Sequence, residues 1–185
     1  MPTIFSHAIA AAAVAHAYPE QRLPPRFWVW TAACSMLPDA DVIGFPFGIR
    51  YADMLGHRGL SHSFFFAAVV GIVVAALYGE RSVRRVWLAV YFALVTASHA
   101  LLDALTDGGL GVALLAPFSN ERFFLPWRPI EVSPIGPNFF SARGVSVIAS
   151  ELRWIWVPSA IFVAAVSLRR AYVGPAAAGR DDGRK

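Results

Sequence analysis

The sequence has a single cysteine, Cys34, and only 15% of its 185 residues carry charge. One cysteine excludes an intramolecular disulfide framework. So little charge beside 57% hydrophobic residues excludes a disordered chain, which needs low hydrophobicity and high net charge. An ordinary soluble domain is excluded as well, since such domains average about 45–50% apolar and about 25% charged residues. Six Trp and fourteen Phe would crowd its surface. No internal repeat of convincing period is present. What remains is an all-α, multi-pass transmembrane helical bundle forming one small domain. The formal charge of +4 and the pI near 9.7 would suit nucleic acid, but the arginines are scattered instead of forming one basic patch. No nucleic-acid partner is expected; cytoplasmic-loop arginines explain the charge better.

About four to five membrane segments can be read along the chain. Ser63 to Tyr78 is an uncharged run that, with Leu60 and its flanks, approaches the ~20 residues needed to cross ~30 Å of hydrocarbon. Val86 to Thr106 is a second, with His99 and Asp103 in its last third. Leu152 to Leu168 is a third, flanked by Trp154 and Trp156 at one end and Arg169-Arg170 at the other, an aromatic belt opposite cationic anchors. Ile4 to Ala17 and Phe27 to Leu37 are shorter apolar stretches, expected as short or partly submerged helices whose alanines permit close packing. A signal peptide competes for residues 1–17, whose Ala15-His16-Ala17 resembles a cleavage site, but no Lys or Arg precedes the apolar run.

Threading five segments places Arg22, Arg26, Arg81, Arg84, Arg85, Arg169, Arg170 and the terminal cations on one face, ten cations against six. The positive-inside rule makes that face cytoplasmic. The 107–150 connection, rich in Phe, Trp and Pro, is then expected as an extracytoplasmic interfacial cap over a membrane domain spanning 1–173. Residues 174–185 are expected as a flexible cytoplasmic tail.

Ionisable groups are costly in a membrane, so their positions are informative. His7, Asp39, Asp41, His57, His62, His99, Asp103 and Asp107 all fall at the outer ends of their segments, although the orientation used only Arg and Lys. His99 and Asp103 are four apart and share a helix face, about 20 Å from the cytoplasmic edge at ~1.5 Å per residue. Gly59 allows a bend between His57 and His62. Taken singly, each has an ordinary use: an interhelical hydrogen bond for His99–Asp103, a turn cap for Asp39 and Asp41, an interfacial position for His57 and His62. Gathered at one end, they point to a shared metal centre. Mixed imidazole and carboxylate donors suit zinc, with manganese or iron as alternatives. Cys34 is expected to be a packed small hydrophobe.

An N-terminal His in an apolar helix, the turn Pro38-Asp39-Ala40-Asp41, the HRGxxHS motif at His57 to Ser63, the HxxxD pair His99–Asp103 and the aromatic stretch Pro117 to Trp127 occur in that order. Together they resemble the YdjM-like family of inner-membrane proteins, described as membrane-bound metal-dependent hydrolases, over about residues 3 to 130. The order is also similar to that of zinc-dependent phospholipase C and the P1-type nucleases. That resemblance implies His7, Asp39, His62, His99 and Asp103 as metal ligands, with Asp41 and His57 as ligands or their supports. The later His and Glu ligands of a three-zinc cluster have no match, and neither Asp107 nor Glu131 sits in a matching motif, so one or two ions are expected.

The expected activity is that of a hydrolase at the outer face of the inner membrane, acting on a phosphoester or ester of a lipid or amphipathic substrate. The metal would lower the pKa of water towards ~7 and act as Lewis acid. Asp41 or His57, whichever is not a ligand, is the candidate general base, and Arg58 the candidate grip on a substrate anion. A metal-ion transporter and a structural or regulatory membrane protein are the alternatives. The former predicts polar residues continuing towards the cytoplasm, where residues 66–77 and 87–95 offer only Tyr91.

Overall fold

The computed structural model describes residues 1–19, 23–79 and 83–178, and is helical throughout, with no β-strand among the described residues. Its helices are α1 (Ile4–His16), α2 (Pro25–Met36), α3 (Phe64–Leu77), α4 (Val83–Ala104), α5 (Ala142–Glu151) and α6 (Val157–Ala178). Pro24 and Pro25 open α2, where a missing N–H costs nothing. Ser63 caps α3 by accepting from the Phe66 amide at 3.0 Å. The turn at Leu152–Trp156 is a π-helix between α5 and α6, just before Pro158, whose ring and absent N–H do not fit a regular α-turn. The wider turn lets the helix continue without a break.

Two stretches are long and apolar enough to cross a membrane. Arg84–Ala104 has 21 residues, about 31 Å of helix, and Ala142–Tyr172 has 31, about 46 Å. The uncharged run expected to span at Ser63–Tyr78 is instead a 14-residue helix, about 21 Å long. Its length is trimmed by the Ser63 cap at one end and by Gly79, at φ +84°, at the other. The last span also starts earlier than Leu152, because α5 occupies the end of the expected 107–150 cap. Residues 174–178, expected in the tail, continue α6; the remainder of that tail, and Glu20, Arg22, Glu80 and Arg81, lie outside the described residues. In the connection itself, isolated bridges pair Thr106 with Ile130 and Val112 with Phe123.

The surface is apolar where a soluble protein would be polar. Ile72, Leu94, Ile161 and Leu168 are all more than 60% exposed, while the helices bury small residues such as Ala11, Ala15, Ala67 and Ala75. Lipid is the solvent that such an arrangement fits, with small residues drawing backbones together. Tyr91 and Phe27 stack at 4.8 Å in the interior, and the Tyr91 hydroxyl meets Thr31 Oγ1 at 2.9 Å. The tightest approach is between α3 and α4: a Cβ on Gly71 would stand 2.3 Å from the Ala89 carbonyl oxygen and 2.7 Å from the Ala93 nitrogen. Both partners are backbone and cannot yield. Replacing Gly71 with Ala should therefore separate α3 from α4, destabilising the fold by about 1–3 kcal/mol; thermal unfolding in detergent measures this, and an unchanged midpoint would refute the close crossing.

Candidate metal centre

Four elements meet at the C-terminal end of α4. The 3₁₀ run Leu37–Phe47 continues directly from α2, so Pro38 tightens the helix instead of ending it, and Asp39 and Asp41 lie on that run, not in a turn. The short 3₁₀ turn Leu60–His62 leads into α3. Between His57 and His62 the chain doubles back. Arg58 takes a left-handed φ of +62°, a conformation that costs a non-glycine residue about 1–2 kcal/mol. A Cβ on Gly59 would stand 2.2 Å from the Met54 carbonyl oxygen, so only glycine fits there. Arg58 is held in place by its amide donating to Asp41 Oδ2 at 3.2 Å and its carbonyl accepting from Ala113 at 2.9 Å.

One donor atom from each of Asp39, His62, His99 and Asp103 lies within 4.8 Å of all the others, and all four residues are buried. His99 Nε2 stands 3.1 Å from His62 Nε2 and 3.3 Å from Asp39 Oδ1. His62 Nε2 is 3.6 Å from Asp39 Oδ1 and 3.3 Å from Asp103 Oδ2, and His99 Nε2 is 4.0 Å from Asp103 Oδ2. Donors bound at about 2.0–2.2 Å around a tetrahedral ion stand about 3.3–3.6 Å apart, so these separations are close to the edges of such a tetrahedron. The ring geometry agrees. His99 Nδ1 donates to the Ser35 carbonyl at 2.7 Å, and His62 Nδ1 lies 3.2 Å from Asp41 Oδ2 and 2.9 Å from Ser61 Oγ. Each outward nitrogen is thus occupied, and each Nε2 is turned to the centre, as in metal-bound histidines with a supporting carbonyl or carboxylate. Both oxygens of Asp39 and both of Asp103 are buried without a hydrogen bond. Orphaned carboxylate oxygens at this depth call for a cation. The residues present therefore fit a divalent metal.

Asp41, His57 and His62 form an adjoining group. Here the polar atoms already have partners: His57 Nδ1 meets Asp41 Oδ1 at 2.7 Å, and Ser61 Oγ donates to Asp41 Oδ2 at 2.7 Å. This group is a hydrogen-bonded support for the first. His7 stands to one side. Its ring stacks on His99 at 3.7 Å, its Nε2 is 3.5 Å from Asp103 Oδ1, and both ring nitrogens are buried without a hydrogen bond, so it lies directly against the four-residue group. Asp107 and Glu131 are elsewhere: the first accepts from the Val132 amide and the second pairs with Arg143 at 3.3 Å.

Arg58 has a different position from the one expected of it. Its side chain is fully buried, with Nε 3.2 Å from Asp103 Oδ2, Nη1 donating to the Gly108 carbonyl and Nη2 to Thr106 Oγ1, both at 2.9 Å. A guanidinium sealed in this way neutralises Asp103 and braces the end of α4; it has no open face for a substrate anion. Arg122, on the connection after α4, ties His57 and Tyr51 by donating to their carbonyls at 3.0 and 3.2 Å. Burial raises the Asp41 carboxyl, but its bonds to His57 and His62 outweigh this and hold it at about 2. Asp39 is likewise held below the usual carboxylate range by His62 and His99 despite burial. For His62 burial favours the neutral ring, yet Asp103, Asp39 and Asp41 together raise it to about 10.

Sequence reasoning missed one acid outside the centre. Glu151 is fully buried and accepts at Oε2 from Thr3 Oγ1 and Ser6 Oγ, both at 2.6 Å, and at Oε1 from the Thr3 amide. Its carboxyl group sits at the N-terminus of α1, where the helix dipole favours an acidic side chain. Trp156 Nε1 adds a bond to Ser6 Oγ at 2.7 Å. Together they seat the turn of α1 that carries His7. The signal was present as a lone acid inside an apolar run.

Comparison with known proteins follows the same lines. Residues 1–174 match the family model described as YdjM inner membrane protein. The chain is 39% identical over 175 residues to "Inner membrane protein YbcI" of Escherichia coli (strain K12), covering 92% of this chain and 99% of that protein. No solved structure matches.

Two outcomes are expected. His62→Ala and Asp103→Ala should each lose bound metal, whereas Asp41→Asn should keep it with roughly 10–100-fold weaker affinity, because Asp41 acts through His62. Metal analysis and chelator competition on purified protein distinguish these, and unchanged stoichiometry in both alanine variants would remove the centre. Because the carboxylates of Asp103, Asp39 and Asp41 favour the charged form of His62, which must give up the proton on Nε2 to ligate, metal uptake should release a proton. Affinity should then fall by up to about tenfold per pH unit on acidification from neutral. Calorimetry in buffers of different ionisation enthalpy checks this; pH-independent affinity would contradict it.

Proposed function

Since the chain belongs to the YdjM family of inner membrane proteins, we propose that it is a membrane-bound metal-dependent hydrolase whose centre is Asp39, His62, His99 and Asp103. The observation that carries this reading is the convergence of two imidazole Nε2 atoms and two carboxylates, none of whose oxygens has a hydrogen bond, in one buried place. When bound, a divalent cation there, zinc by its donor set, supplies Lewis acidity and makes water a nucleophile near neutral pH.

The chain's own residues supply the rest. His57 is the preferred general base: Asp41 holds its Nδ1 at 2.7 Å and would stabilise the imidazolium formed on proton uptake. Asp41 also orients His62, so one carboxylate couples the base to the metal group. His7, stacked on His99 and facing Asp103 Oδ1, is the residue on which a second ion would depend. A transit role is disfavoured by the apolar layer of Val95, Phe92 and Leu88 that lies buried along α4 towards the other membrane face.

In this reading α4 and the α5–α6 rod cross the bilayer, and α1, α2 and α3 complete a multi-pass bundle of four or five segments as shorter helices packed against them. The distribution of arginines supports a centre on the extracytoplasmic side. A phosphoester or ester of an amphipathic lipid fits a site at that depth. Purified protein should release phosphate or fatty acid from lipid in a manner abolished by chelator and restored by zinc. His57→Gln should lower turnover by about 10²–10⁴-fold while metal stays bound. Fully metal-loaded protein that leaves phospholipids and polyprenyl phosphates intact would sink the proposal.

A further inference from the structure

The four residues of the centre are not equally shielded. His62, His99 and Asp103 are at most 1% exposed, and Asp39 is 6% exposed. Asp39 is therefore the least shielded member of the group. Asp39, whose carboxylate oxygens are themselves buried, borders a cavity of about 370 Å³, walled by Ile4 and Phe5 of α1, Val42 of the 3₁₀ run, and Ile135, Phe139 and Phe140. Phe139 and Phe140 also begin a second cavity of about 450 Å³, which runs on past Gly144 to Val145 and Ile148 of α5. Both volumes fall in the range of small-molecule sites, about 300–1,000 Å³. Sharing Phe139 and Phe140, the two cavities adjoin as a trough, with Asp39 bordering the first and apolar side chains lining most of both.

The outer lip of the trough carries exposed apolar side chains: Phe5, Phe140 and Val145 are 64%, 89% and 73% exposed. A polar head at Asp39 and a hydrocarbon chain along the walls is the ligand whose chemistry matches both ends. Resting on the metal-centre reading, we propose that this trough is the substrate-binding site, and that it takes a lipid with an anionic phosphate head on a long hydrocarbon chain, entering sideways from the membrane between α1 and α5. The head is drawn by a cation held at Asp39, and the tail stays in apolar surroundings from bilayer to site. No apolar surface has to enter water on the way.

The probe is hexadecyl phosphate carrying a diazirine at the chain terminus, applied to zinc-loaded, detergent-purified full-length protein and mapped by mass spectrometry. Labels should concentrate on 139–148, with at least tenfold less labelling of the lipid-facing residues Ile72 and Leu94. Val42→Trp and Ile135→Trp, which fill the trough at two places, should each reduce the label about tenfold while metal content and melting temperature stay near wild type. The matching photoreactive hexadecanol should label the trough several-fold more weakly. Labelling spread evenly over Ile72, Leu94 and the trough would overturn the proposal. So would equal labelling by the phosphate and the alcohol, or indifference to both tryptophan substitutions. Phosphate release is followed separately: trough labelling without product keeps the binding site and removes hydrolysis, whereas product without trough labelling removes this site and keeps hydrolysis.

Discussion

Two carboxylates, Asp39 and Asp103, are buried at the end of a membrane bundle with their oxygens turned to one another's histidines. Unpaired ionised carboxylates at such depth would be prohibitively unstable. Much of the local architecture answers that single constraint. Arg58 adopts a left-handed backbone to bring its guanidinium to Asp103, and Gly59 is present because the doubled-back chain leaves no room for a Cβ. Asp41 and the Ser35 carbonyl occupy the outer nitrogens of His62 and His99, so that the inner ones face the carboxylates. A divalent ion held by these four residues would complete that balance.

Two neighbouring groups of His and Asp have the composition of a metal centre, and hydrogen bonding decides between them. In the Asp41–His57–His62 group, Ser61 and the imidazoles already satisfy the carboxylate. In the Asp39–His62–His99–Asp103 group, the carboxylate oxygens have no hydrogen-bond donor at acceptable geometry. His62 belongs to both, through different nitrogens. The two groups are therefore linked by one imidazole ring, and neither can be moved without the other.

The sequence was most legible where spacing and chemistry coincided. His99 and Asp103 lie on one face of α4 because they are four apart, and the gathering of His and Asp at one end of the bundle follows from sorting charges by side. The helical class and the small-residue interior were equally readable from composition. Lengths were not. Hydropathy counts apolar residues, but the extent of α3 is set by a serine hydroxyl and a left-handed glycine, both silent on a hydropathy scale. The 3₁₀ run carrying Asp39 and Asp41 was hidden by Pro38, which reads as a stop in an α-helix but is tolerated at the start of a tighter one. Arg58 was misplaced for a related reason: an arginine beside two histidines looks like a substrate ligand until its burial is known. Glu151 pairs across 148 residues with Thr3, a distance at which no local pattern operates.

That last bond bears on the order in which the protein can be built. Asp39, His62, His99 and Asp103 have all been synthesised once α4 is complete, so their grouping needs nothing from the last third of the chain. α1 is different, since its first turn is tied to Glu151 and Trp156 on the final helical rod. As the chain emerges and inserts, helix by helix, the segment made first must wait for the segment made last before His7 is seated. The seating of His7 beside the centre thus depends on chain that follows α4 by about fifty residues, and the long 105–141 connection separates the two.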